Sequence, residues 1–197
     1  MSDKLHDNSI WKTLAEQLGG QFFERQLHQP EYVIVNYKNF QIKLDHYTVY
    51  RPSGATSLER TYTRIMVPYV AEDQFTFEMH RDHHQSKTSK LETQINFKTG
   101  DETFDNRHTI KTSDHLKLSL ILGASSMVDL INAPIQLNLL VSSDHGIWEN
   151  ALPEGHYELL YFADGKLKDI RELQSLFELF KLLIQSLIKY NDIAPSS

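Results

Sequence analysis

The sequence predicts an α+β protein: a mostly antiparallel sheet with a long C-terminal helix packed across one face. Two patterns carry that prediction. Short alternating apolar segments separated by turn residues fill the first half of the chain, and one wide apolar stripe at helical spacing closes the second.

The stripe is the stronger signal. Asp169, followed three residues later by Glu172, has the spacing of a helix start. Ile170, Leu173, Phe177, Phe180, Ile184, Leu187 and Tyr190 then recur at alternating steps of three and four, widened by Leu176, Leu179, Leu183 and Ile188. A helix with so broad an apolar face must bury it. Packing across the protein's own sheet is the leading solution. A homodimer seam through Phe177, Phe180, Ile184 and Leu187 is the second, because the steps match a heptad. Membrane association ranks last, since Glu178, Lys181 and Gln185 interrupt the run and basic residues are sparse on the polar face.

The remaining elements follow in order. Trp11, Leu14, Ala15 and Leu18 share one helical face, and Gly19-Gly20 ends that helix. Phe22, Phe23 and Tyr32–Val35 mark the first strands, broken at Pro30. Phe40, Ile42 and Leu44 alternate with polar residues, but Tyr47 and Val49 continue with the opposite parity. A bulge near Asp45-His46, or burial on both faces, accounts for that change. Pro52-Ser53-Gly54 supplies a turn. Tyr62 to Val70 reads as a strand whose Pro68 favours an edge or an end. Phe75, Phe77 and Met79 alternate with Thr76, Glu78 and His80, and the polar stretch from Arg81 to Lys90 reads as an exposed loop.

Leu91 to Phe97 is a further strand candidate. Leu116, Leu118, Leu120 and Leu122 alternate and favour a strand, with a buried helix as the alternative. Ser126 and Asp129 suggest a capped short helix through Ile131, stopped by Pro134. Strands are expected over 135–141 and 157–162. There is no repeat or linker, so residues 1–197 form a single α+β domain, or two lobes meeting near residue 100.

Composition removes several functions. Of 197 residues, 40% are hydrophobic and 23% charged, which is globular usage rather than disorder. A formal net charge of -6 with no basic run argues against nonspecific nucleic-acid binding. The absence of cysteine excludes disulfides, thiol catalysis and thiolate-held metals. The polar stretch from Met1 to Ile10 lacks a signal-peptide core, and no apolar run is long enough for a membrane span, so a cytoplasmic location is expected.

Ten histidines stand out. His80, His83 and His84, with Asp82 among them, have the donor types zinc takes. On a continuing strand His80 and His83 face opposite ways, and no His-Glu-x-x-His signature is present, so a solvated loop outweighs a metal site. Asp-His pairs occur at 45–46, 82–83, 114–115 and 144–145, but adjacent residues on a strand do not hydrogen-bond side chain to side chain as a catalytic pair requires. Asp114 reads instead as a turn or cap residue. Gly123-Ala124-Ser125-Ser126 lacks the spacing and lysine of a phosphate loop and reads as a strand-to-helix turn. Tyr47, Tyr50, Tyr62, Tyr69, Phe75 and Phe77 suit a core, or a pocket for a small apolar ligand.

Phe104-Asp105, Ile110, Asp114, Leu122-Gly123, Met127 and Leu130 together resemble a pattern in bacterial proteins of unknown function. The resemblance spans the third quarter of the chain and implies no activity or site residue. The functional expectation is therefore a non-enzymatic binding or interaction module needing no cofactor. The alternative is a histidine-dependent metal-binding protein with hydrolase chemistry.

Overall fold

The computed structural model describes residues 2–27, 29–53, 56–81, 95–144 and 151–196. Its strands are β1 (Gln21–Phe23), β2 (Tyr32–Tyr37), β3 (Phe40–Ser53), β4 (Thr56–Val70), β5 (Phe77–Arg81), β6 (Ile95–Phe97), β7 (His108–Thr112), β8 (Asn138–Ser142), β9 (His156–Asp164) and β10 (Ala194–Pro195). They form one sheet in the order β1-β2-β3-β4-β9-β8-β5-β7-β6, with β10 added to β4. Every pairing is antiparallel. Strands β8 and β9, from the second half of the chain, lie between β4 and β5 from the first, so the two halves interleave in the sheet.

Local chemistry sets the turns. Lys38 and Asn39 both take positive φ (48° and 70°), the two-residue turn whose twist matches an antiparallel hairpin. Gly19 takes φ 66° at the end of the first helix. Gly20 serves a different need: a Cβ there would lie 2.8 Å from Val35 Cγ2 and 2.9 Å from the Ile34 carbonyl oxygen.

The helices α1 (Ser2–Leu18), α2 (Glu102–Arg107), α3 (His115–Leu122), α4 (Ser125–Asn132) and α5 (Ile170–Asn191) bury their apolar residues in one core against one sheet face. Helix α5 is central, with α1 on one side and α3 and α4 on the other. Asp169 caps it, accepting hydrogen bonds from the Arg171 and Glu172 backbone N–H groups. Glu172 does not close a capping box; its Oε1 accepts from Ile135 N at 3.4 Å. Phe177, Phe180, Ile184 and Leu187 all lie in this core, against the chain's own sheet.

Three sequence expectations are corrected. The alternating leucines of 116–122 form helix α3, not a strand. Asp114 accepts from Lys117 N at 2.9 Å and starts it, and burial follows Leu118, Ile121 and Leu122 at helical spacing while Leu116 stays 72% exposed. Helix α4 begins at Ser125 with Ala124 at its N-cap and no side-chain cap, so Ser126 does not start it. The segment 123–126 therefore joins two helices rather than a strand to a helix.

The parity change in β3 arises without a bulge. Register with β4 is continuous from Lys43↔Met66 to Ser53↔Thr56. Leu44 and His46 face the helices. Asp45 and Tyr47 face the other side, where Tyr62, Met66, Leu140, Leu160 and Phe162 form a second apolar cluster made of strand residues alone. Pro68 lies where β4 changes partner on one edge, between the last β3 pairing at Met66 and the first β10 pairing at Tyr69. Among the described residues no helix is long and apolar enough to cross a membrane.

Candidate ligand-binding site

A cavity of about 680 Å³ opens where α5 ends against the sheet. Four separate segments line it. The end of β4 and the chain beyond it give Val70, Ala71, Glu72 and Asp73, and α3 gives Lys117. The turn into β9 gives Glu154, Gly155 and His156, and the end of α5 with its exit gives Lys189 to Asp192 and Ala194.

The walls are held by backbone geometry. Gly155 takes φ 75°, and its carbonyl accepts from Ala71 N at 3.0 Å, which fixes the turn against the end of β4. Asp192 caps α5 in the left-handed conformation (φ 47°, ψ 50°) and turns the chain into β10, whose Ala194 pairs with Val70. Non-glycine residues adopt that conformation at a cost of about 1–3 kcal/mol, and such strain concentrates at functional sites.

The lining carries four carboxylates, Glu72, Asp73, Glu154 and Asp192, against Lys117 and Lys189. The cavity also meets the C-terminal end of α5, the negative pole of its dipole. Lys117 is committed: its Nζ donates to Asp73 and, at 2.9 Å, to Asn191 Oδ1. Lys189 lies 4.7 Å from the centre of the Tyr190 ring. The negative field reaches the neighbouring phenols. Tyr157 is pushed up by burial and by Asp73 and Glu154, and Tyr69 by burial, then Tyr157 and Asp73.

Two buried polar groups at this end of the sheet have no hydrogen-bond partner among the described residues. One is Asn191 Nδ2, on a residue only 5% exposed that lines the cavity. The other is the hydroxyl of Tyr69, which stacks on Tyr157 at 5.8 Å. Native proteins leave few such groups unpaired, because each costs about 1–3 kcal/mol.

The histidine cluster is only partly within view. His83 and His84 lie outside the described residues. His80 is buried on β5, on the sheet face opposite the helices. Asn138 Nδ2 donates to the Phe162 carbonyl at 3.0 Å, so its Oδ1 accepts from His80 Nδ1, also at 3.0 Å. His80 Nε2 then faces Glu78 Oε2 at 3.6 Å, an ion pair when the imidazole is protonated. Lys111 lies 3.4 Å from the other Glu78 oxygen. Burial alone would raise the Glu78 carboxyl; His80 and Lys111 outweigh it and hold it below the usual range. Among the described residues no group of three or more histidines and carboxylates converges as a metal would require.

The other sequence candidates separate. Asp45 and His46 point to opposite faces, Asp45 to Arg64 and His46 to Trp11, whose ring lies 4.6 Å away. Asp114 caps α3 while His115 meets Phe97 at 5.4 Å. The six aromatics do not share a pocket: Tyr69, Phe75 and Phe77 are in the helix-side core, Tyr62 is in the opposite cluster and Tyr50 is exposed. The Phe104-Asp105 pair serves architecture. Phe104 is buried against His108, and Asp105 accepts from Thr99 N, Thr99 Oγ1 and Gly100 N. The cavity residues went unread in the sequence because they come from four distant segments with no common spacing. No family model, curated protein or solved structure matches the chain.

Proposed function

We propose that this chain is a non-enzymatic binding module whose ligand occupies the cavity at the end of α5. The carrying observation is the cavity itself: about 680 Å³, within the range of small-molecule sites, and ringed by charged groups. Two buried polar groups at the same end of the sheet lack partners among the described residues. The lining favours a charged ligand over the small apolar one that the aromatic content suggests.

The test uses Ala194, which is exposed and lines the cavity. Ala194→Trp fills the space without touching the core. A thermal-shift panel of amines, carboxylates and apolar compounds should contain a compound that stabilises the natural protein and not Ala194→Trp. If every stabilising compound acts equally on both, the cavity is not the site.

A second reading, histidine-dependent metal binding, is favoured by one observation: the His80 Nε2 atom is buried without a hydrogen-bond partner beside Glu78. Metal analysis of protein purified without a histidine tag tests it. Stoichiometric zinc that is lost in His80→Ala supports it, and metal-free protein with unchanged melting in chelator removes it.

A further inference from the structure

We draw no further inference here: the strongest candidate, the outer part of the β3–β4 hairpin, where residues 46–53 and 56–61 pair only with each other among the described strands and Tyr50 and Leu58 are exposed, carries nothing because nothing in the structure shows what covers it.

Discussion

Arg64 grips Asp45 with two parallel hydrogen bonds, Nε to Oδ1 at 2.9 Å and Nη2 to Oδ2 at 2.8 Å, across the β3–β4 pairing. Asp45 is fully buried and Arg64 is 6% exposed, and the guanidinium also lies 3.7 Å from the centre of the Tyr47 ring. Removing one partner of a buried pair strands the other charge. Asp45→Ala should therefore cost about 3–5 kcal/mol in urea unfolding, whereas Asp45→Leu combined with Arg64→Met should recover much of the loss. A single Asp45→Ala variant as stable as the natural protein would show that the pair is not buried.

That pair also marks the limit of what the sequence discloses. The alternation of Phe40, Ile42 and Leu44 is legible because one sheet face is covered by apolar helices. The switch at Tyr47 and Val49 leaves a bulge or burial on both faces open; the structure shows the second, and periodicity could not choose because an Asp and an Arg nineteen residues apart neutralise each other on the second face. The leucines of 116–122 mislead for a related reason. Helix α3 buries only part of its surface, so both periods fit so short a run until the Asp114 cap decides. The cavity needed the fold itself, since only the sheet order brings residues 70–73 and 154–156 beside the end of α5.

Phe177 tests the reading of α5 that was legible. It is 6% exposed and sits in the helix-side core, with Lys181 Nζ 5.7 Å from its ring centre. Phe177→Ala should cost about 3–5 kcal/mol, the usual penalty for emptying an aromatic from a packed core. Chemical denaturation measures it directly, and a loss below a few tenths would place Phe177 on a surface.

Acid stability should report on Glu78. Its carboxyl titrates lower in the folded chain than its ordinary value of 4.5, because His80 and Lys111 outweigh the effect of burial. A lowered native value means that the charged form stabilises the fold. The contribution is complete above the ordinary value and disappears as the pH falls through the native one. Glu78→Gln should accordingly be less stable than the natural protein at neutral pH, with the gap closing as the pH drops below that ordinary value. A gap that stays constant across this acid range would mean that Glu78 takes no part.

Asp192 separates strain from function at one position. Its φ of 47° is a conformation that glycine takes freely, and asparagine tolerates it better than most residues. Asp192→Gly should therefore stabilise the chain, or leave it unchanged, by about 0–1 kcal/mol once the greater freedom of the unfolded glycine is set against the relieved strain. Asp192→Asn should preserve the turn while removing a cavity carboxylate. If the carboxylate serves ligand binding, both variants should melt at or above the natural temperature while losing the thermal stabilisation that a cavity-bound compound gives the natural protein. Were Asp192→Asn instead to lower the melting temperature by several degrees and keep that stabilisation unchanged, the carboxylate would belong to the fold. The left-handed turn would then be explained by the β10 pairing alone.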